Sequence, residues 1–241
     1  SSIYHGFSAN LRKQFRSHYQ FLASYTWSHS IDDSTDLQST LTPQDSYFPG
    51  LDRSTSIFDQ RHRFVFSGVY QSGKVDSGGF VRAFLSDWTI APLIEFGSGR
   101  PFNILTGNGD NLQLSSLTSR PNTFVDPACG SGVNSKYSPT GVFQEPCILP
   151  FMLSGIPPSL LQLDGNLGRN AGTTPWTVFD DLRVSKQVPI TERASLELIV
   201  DMFNIANRYN VAAVSPLFTN AGQATAAYDP RQFQFGMKVK W

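Results

Sequence analysis

The stretch "RQFQFGMKVKW" (residues 231–241) closes the chain and alternates apolar with polar side chains at every step. Alternation with a period of two residues is typical of a β-strand that has one apolar and one polar face. Five apolar side chains share one face of this predicted strand: Phe233, Phe235, Met237, Val239 and Trp241. The pattern therefore predicts a sheet whose apolar face continues to the last residue of the sequence.

The same alternation recurs along the chain and predicts six further strands. These strands lie at residues 3–15, 19–28, 63–71, 88–96, 179–190 and 194–203. Three of the connections are short, around residues 16–18, 71–79 and 189–193, and three are long, at 28–61, 98–174 and 205–230. Short turns at one end of a sheet and long extracellular loops at the other are typical of outer-membrane β-barrels. No helix is expected in this chain.

The composition excludes several classes of protein. The formal net charge is zero and charged residues make up 16 % of the chain, below the roughly 25 % of ordinary soluble domains. Because there is no basic run and no excess of Lys and Arg, nucleic-acid binding is not expected. No apolar run approaches the ~18 residues of a transmembrane helix, and no signal peptide is visible. The sequence also begins without Met, so we expect a mature form or a piece of a longer protein.

The two faces of the predicted strands carry different side chains. Aromatic residues lie toward strand ends, as in the belts that mark membrane interfaces: Tyr19, Trp27, Trp88, Phe96, Trp176 and Trp241. The opposite faces carry the charges that we expect to line a wet lumen: Arg12, Arg63, Glu95, Arg183, Glu197, Asp201 and Lys238. Alternation alone also fits a soluble β-sandwich. The unequal connections, strands of about ten residues and the terminal Trp favour an all-β, antiparallel transmembrane β-barrel.

Few residues have the spacing of a reactive or metal-binding site. Cys129 and Cys147 lie in one polar, Gly- and Pro-rich stretch, which favours a loop disulfide in an oxidising compartment over a metal site. The four histidines are scattered without metal-ligand spacing, at His5, His18, His29 and His62. We expect no metal, no cofactor and no enzymatic activity.

Three short motifs each leave two interpretations open. "FDQRHRF" (residues 58–64) is either a binding cluster or an ion-paired strand start that orders the preceding loop. "TGNGDN" (106–111) is either a calcium loop, although it lacks the distal Glu of an EF-hand, or a Gly/Asn turn. "GNLGRN" (165–170) either places Arg169 near a ligand or uses its glycines for turns with positive φ. In each case the structural interpretation is the favoured one.

Six blocks of sequence, taken together with the terminal aromatic residue, resemble a known family. In order they are "FLASYTWSHSIDD", "FDQRHRFVFSGVY", "SDWTIAPLIEFGSGRPFNI", "GNLGRN", "FDDLRVSKQVPI" and "FNIANRYN". The series resembles the C-terminal barrel region of TonB-dependent outer-membrane receptors, in the group that carries an N-terminal carboxypeptidase-regulatory-like domain. One departure is Pro92, where that family usually has a small residue. Proline lacks the N–H of a ladder bond, so a bulge or weakened pairing is expected there.

The resemblance implies a larger protein around residues 1–241. Complete members have a signal peptide, a TonB-contacting segment, a plug domain and a barrel of about 22 strands. Seven strands starting on the extracellular side would then be the C-terminal segment of that barrel, and would form an open sheet here. In the family a terminal aromatic residue is recognised by the barrel assembly machinery, which makes the apolar face of residues 233–241 the expected assembly signal.

The resemblance also implies a function and a set of partners. We expect a receptor in the outer membrane of a Gram-negative-type bacterium that imports an unidentified ligand with energy supplied through TonB. Its partners would be outer-membrane lipid, its own plug, TonB, the assembly machinery and the ligand. Arg183, Glu197 and Asp201 would line the conduit or hold the plug, or would instead pair with one another across adjacent strands. Two alternatives stay open, namely a structural or adhesive barrel without transport, and a secreted β-sandwich that binds glycans.

Overall fold

Seven long strands form one antiparallel sheet in the computed structural model. The structure describes residues 1–34, 43, 47–76, 78–105, 120, 122–123, 148–149, 167–191, 193–217 and 220–241. The strands are β1 (Ser2–Arg16), β2 (Tyr19–Asp32), β3 (Ser54–Thr55), β4 (His62–Gln71), β5 (Trp88–Gly97), β6 (Pro101–Phe102), β7 (Asn122–Thr123), β8 (Ile148–Leu149), β9 (Gly172–Thr173), β10 (Thr177–Pro189), β11 (Ser195–Phe203), β12 (Val211–Val214), β13 (Ala224–Ala227) and β14 (Gln232–Lys240). All seven predicted strands are confirmed, and the extra short strands lie in the long connections.

The long strands follow the order β1-β2-β4-β5-β10-β11-β14, with β3 beside β2. Each long strand pairs with the next one along the chain, so the sheet is a meander. The sheet is open, because β1 and β14 each have one partner strand in the described part of the chain. An open sheet is what the sequence predicted. The number of strands in the complete barrel stays a prediction.

The strand register gives the sheet one predominantly apolar face, to which all seven long strands contribute. Leu182 on β10 lies opposite Pro92 on β5 and Met202 on β11, and Met202 in turn lies opposite Phe233 on β14. Residues that face each other in a ladder project to the same side of a sheet. The resulting surface, called the apolar face below, is uncovered: Phe235 is 77 % exposed and Met237 is 70 % exposed.

The buried apolar side chains lie in the connections and not beneath the sheet. In the described chain they are Phe102, Ile104, Leu105, Leu167, Val211 and Ala221. A soluble sandwich would bury the apolar face of this sheet against a second sheet. Outside the main sheet, the described residues form only two-stranded pairs. The structure therefore does not support the β-sandwich alternative, because the described residues include no second sheet that packs on the apolar face.

The turns explain how the strands reverse at the short-connection end. Ser17 and His18 join β1 to β2 with φ values of 55° and 75°, the backbone of the two-residue turn that matches strand twist. The connection from β4 to β5 contains an α-helix, α1 (Gly79–Leu85), so the expectation of an entirely helix-free chain was wrong. Seven residues are too few to display a helical period. No helix in the described residues is long and apolar enough to cross a membrane.

Pro92 weakens one ladder without bending it. Between β4 and β5 the pairing runs from Arg63↔Gly97 to Ser67↔Leu93 and resumes at Tyr70↔Ile90 in the same register. On its other side Pro92 pairs with Leu182. The weakened pairing expected from a residue without an N–H is therefore present, and the register passes the site without a bulge.

Replacing Ser17 by Asn is expected to stabilise the folded protein by up to about 1 kcal/mol, because Asn tolerates positive φ better than Ser does. The measurement is the urea midpoint of the full-length protein in detergent. Ser24→Asn is the matched control, since Ser24 lies inside β2 and gains nothing from that tolerance. A lower midpoint for Ser17→Asn than for the unaltered protein would contradict the turn geometry.

Candidate binding surface: the loop assembly and the polar face

The three long connections pack against one another at one end of the sheet. The second and third connections share an apolar cluster of Phe102, Ile104, Leu167 and Ala221, with Ala171 and Val214 against it. Leu105 forms a β-bridge with Leu217, and its N–H donates to the Pro216 carbonyl over 2.8 Å. We call the described parts of residues 33–61, 98–176 and 204–231 the loop assembly. It has a core of its own, so its surface is preorganised.

Two buried arginines bond within the loop assembly, and one of them, Arg169, also bonds strand β2. The Arg169 guanidinium donates to the Asp32 carboxylate, to the Asp32 carbonyl over 2.6 Å, and to the Asp52 carbonyl over 2.6 Å. Arg120 donates to the Asp52 carboxylate over 2.5 Å and to the Leu167 carbonyl over 2.7 Å. We call these four residues (Asp32, Asp52, Arg120 and Arg169) the buried arginine network. It joins the first and second long connections to the end of β2.

The four charged residues are almost fully shielded from water. Arg169 is 6 % exposed and Asp32 is 7 % exposed. Removing charges from water is costly, and the cost is offset only where each ion has a partner and its remaining polar atoms are bonded. Here each arginine is bonded both to a carboxylate and to a backbone carbonyl. The network therefore holds the connections in place, and removal of any one of its four side chains is expected to destabilise the loop assembly strongly.

The motif "GNLGRN" contributes Arg169 to the buried arginine network, and it differs from the sequence interpretation in which residue adopts positive φ. Arg169 does not lie free beside a ligand, because its side chain is buried in the network. The positive φ belongs to Asn170, at 55°, whereas Gly168 is not among the positive-φ residues. The Asn170 side chain donates to the Thr55 carbonyl over 2.9 Å, and Ser54 donates to the Arg169 carbonyl over 2.5 Å. The prediction that the glycines of this motif adopt positive φ was wrong for Gly168, and Gly165 lies outside the described residues.

The motif "FDQRHRF" forms a second cluster at the start of β4. The Asp59 carboxylate is buried and accepts the Ser30 N–H over 2.6 Å. The same carboxylate lies 3.3 Å from His29 Nδ1 and 3.6 Å from Arg61 Nε. Arg61 Nη2 donates to His29 Nδ1 over 2.8 Å, which leaves that nitrogen as the acceptor. The cluster pairs the end of the first loop with β2, as the ion-paired interpretation of this motif predicted.

The face opposite the apolar face carries the charges singled out in the sequence, and it pairs most of them. Arg183 on β10 bonds both oxygens of Asp201 on β11, over 2.6 and 2.9 Å. Arg63 on β4 bonds Glu95 on β5 over 3.0 Å. These pairs connect neighbouring strands, so cross-strand pairing of Arg183 with Asp201 is observed. Whether this face lines a lumen stays a prediction.

Three further predicted residues lie on the same polar face. Glu197 faces Lys238 in the register, but its carboxylate bonds the Lys240 ammonium over 2.9 Å. Arg12 lies opposite Leu22 on β2. These side chains follow the polar alternation and share one face of the sheet, where apolar side chains such as Leu22 and Leu93 lie between them.

The proposed assembly-signal residues lie on the edge strand β14. Phe233, Phe235, Met237 and Val239 face Met202, Val200, Leu198 and Leu196 of β11. Trp241 follows the end of β14 and is exposed. Their role in assembly stays a prediction. The predicted disulfide between Cys129 and Cys147 and the motif "TGNGDN" lie outside the described residues.

Three residues of the buried arginine network, Asp32, Asp52 and Arg120, were not predicted from the sequence. Asp32 and Arg169 lie 137 residues apart in the chain, so no local pattern connects them. One usable signal was present. In a sequence poor in charges, "SIDD", "GLDR" and "GNLGRN" place acids and arginines in or beside long connections otherwise rich in Gly, Pro and Ser, which could have indicated Asp32 and Asp52 but not Arg120.

A family model described as an outer membrane beta barrel domain matches residues 1–234 of the chain. The chain belongs to this family. Membership of the outer-membrane barrel family indicates an outer-membrane location and assigns the uncovered apolar face to lipid. A search of the curated proteins finds no match to this barrel domain.

Replacing Arg169 by Ala is expected to destabilise the loop assembly of the barrel domain by about 3 kcal/mol or more, because it leaves the buried Asp32 carboxylate without its charged partner. The measurement is protease cleavage of the surface loops on intact cells that produce the full-length protein. Arg169→Lys keeps the charge but lacks the planar fork of donors that reaches the three acceptors on Asp32 and Asp52 together, so we expect an intermediate effect.

Arg63→Ala is the matched control, because it breaks a half-exposed pair with Glu95. Such pairs contribute about 1 kcal/mol or less, so loop cleavage should stay near that of the unaltered protein. Equal cleavage in the Arg63 and Arg169 variants would mean that the buried arginine network does not hold the loops.

Proposed function

We propose that residues 1–241 form the C-terminal barrel segment of a TonB-dependent outer-membrane receptor, which captures a ligand on its loops and imports it. The single observation that carries the proposal is the loop assembly. An apolar core joins the second and third long connections, and the buried arginine network joins the first and second, at one end of the sheet. A preorganised surface loses little conformational freedom when a ligand binds. The six sequence blocks supply the link to TonB.

The polar face supports the transport part of the proposal. In an outer-membrane barrel the face opposite lipid lines the lumen, where water and polar groups are accommodated. Here that face carries Arg183 with Asp201 and Arg63 with Glu95 as paired charges. A conduit lined by paired charges presents many hydrogen-bonding groups without a strong net potential. Such a lining is compatible with a polar ligand of either sign, and no catalytic step is part of the proposal.

The loop assembly exposes several large apolar side chains on its outside. Tyr47, Phe48, Phe58 and Tyr209 are all strongly exposed. Aromatic rings combine apolar area with few rotatable bonds and serve as binding anchors. Sugars, peptides and metal chelates are all bound by such surfaces, so the chemical class of the ligand is left open. The terminal strand β14 is proposed as the segment that the barrel assembly machinery recognises.

Coupling to TonB is tested with the full-length protein in detergent and the purified periplasmic domain of TonB from the same organism. We expect saturable binding, because the proposed receptor carries a TonB-contacting segment ahead of its barrel. The matched control lacks that N-terminal segment and should not bind. If the full-length protein binds no TonB in detergent and in outer-membrane vesicles, the structural or adhesive barrel becomes the better assignment.

Contact between the barrel and its plug is tested with Arg183→Gln in the full-length protein. If Arg183 also reaches the plug, the plug should become more sensitive to protease while the barrel stays folded. Arg63→Gln, on the same face and in a similar pair, is the control. An unchanged digestion pattern for Arg183→Gln would restrict this arginine to its pair with Asp201.

A further inference from the structure

Helix α1 is held at the short-connection end of the sheet by two outward-facing side chains. The Trp88 indole N–H donates to the Phe84 carbonyl at the end of the helix, over 2.6 Å. The Lys186 ammonium donates to the Ser86 carbonyl over 2.5 Å and lies 5.0 Å from the centre of the Trp88 ring. These bonds fix the C-terminal end of α1 to β5 and β10.

Both anchoring residues belong to the apolar face. Lys186 and Trp88 are opposite each other in the register, two residues along from the pair Val184↔Ile90. Because alternate residues of a strand project to the same side, all four side chains share the lipid-facing surface. The end of α1 is therefore attached on the lipid side of the sheet and not over the polar face.

The helix carries more exposed apolar surface than a short surface helix in water would carry. Phe80 is 83 % exposed and Phe84 is 59 % exposed, and their rings stack with centroids 6.2 Å apart. Val81 and Leu85 form a second exposed apolar pair at the same spacing. Every residue of α1 is exposed. Contiguous exposed apolar groups of this kind mark an interaction surface.

We propose that α1 lies in the headgroup region of the periplasmic leaflet and inserts Phe80 and Phe84 among phospholipid acyl chains. The short connections of outer-membrane barrels are on the periplasmic side, which places α1 there. The apolar surface of α1 continues the lipid-facing surface through Trp88, an aromatic residue of the type enriched at membrane interfaces. Lys186 extends along this surface to a carbonyl at its edge, as long cationic side chains do near an interface.

The proposal assigns membrane anchoring to the β4–β5 connection. It rests on the family assignment and the apolar face, and it does not depend on TonB-coupled import. Arg82 is the one cation of the helix and is exposed, so it is available to a phosphate headgroup. The helix would fix the depth of this edge of the sheet in the membrane. The alternative is that a protein partner binds the same surface, and the experiment distinguishes this from contact with lipid.

The test places the photoreactive residue p-benzoylphenylalanine at position 80 of the full-length protein in its native outer membrane. After irradiation we expect a covalent phospholipid adduct, identified by mass spectrometry of the purified protein. The positive control carries the probe at Val188, on the apolar face at the same end of the sheet. The negative control carries it at Gln187, on the polar face. The yield at position 80 should match Val188 and exceed Gln187 several-fold.

Crosslinking of position 80 mainly to a protein would overturn the proposal in favour of a protein partner. A lipid yield no higher than at Gln187 would overturn it as well. The second variant combines Phe80→Ser and Phe84→Ser and carries the probe at Leu85. Provided that its barrel migrates as folded on unheated gels, we expect several-fold less lipid adduct than the same probe gives in the unaltered helix. An unchanged yield would show that these two rings do not anchor the helix.

Discussion

The exposed apolar face of the seven-stranded sheet is the constraint on which the rest of the structure depends. Side chains from β1 to β14 present it continuously, and nothing in the described chain covers it. In hydrocarbon the backbone N–H and C=O groups must also be bonded within the protein, which strand ladders achieve everywhere except at an edge. The edge strands β1 and β14 therefore need neighbouring strands in the membrane. Lipid takes the place that a second sheet has in a soluble protein.

Because of this constraint, the buried apolar side chains of the described chain lie beyond the strand ends, in the connections. Between the strand ends, burial in lipid stabilises the apolar side chains, and the polar face satisfies its charges across neighbouring strands. Beyond the strands the chain is in water, so the loop assembly must bury Ile104, Leu167 and Ala221 against one another as a soluble domain does. That core is small, so packing alone would hold the long connections only weakly. Buried ion pairs that also bond backbone carbonyls add to their stability.

The strands were predictable because their period is local, whereas the loop assembly was not. Alternation predicted all seven long strands and placed Arg183 and Asp201 on one face. It could not predict that β2 continues to Asp32, because His29 interrupts the apolar side of the alternation before Ile31. The partners of Arg120 and Arg169 are distant in sequence and chosen by tertiary packing. Helix α1 is too short to show a period, and Asn170 adopts the positive φ that sequence reasoning assigned to a glycine.

Two of the strands that the loop assembly bonds, β2 and β10, lie apart in the sheet, and this affects how a bound ligand could act on the barrel. Arg169 bonds Asp32 at the end of β2. On β10, Asp181 accepts the Asn204 N–H over 3.0 Å, and the Asn210 amide bonds both backbone groups of Val178. Strands β4 and β5 lie between these two attachments. A shift of the assembled loops would therefore pull on β2 and β10 together, because coupling travels through packed and bonded groups with discrete arrangements.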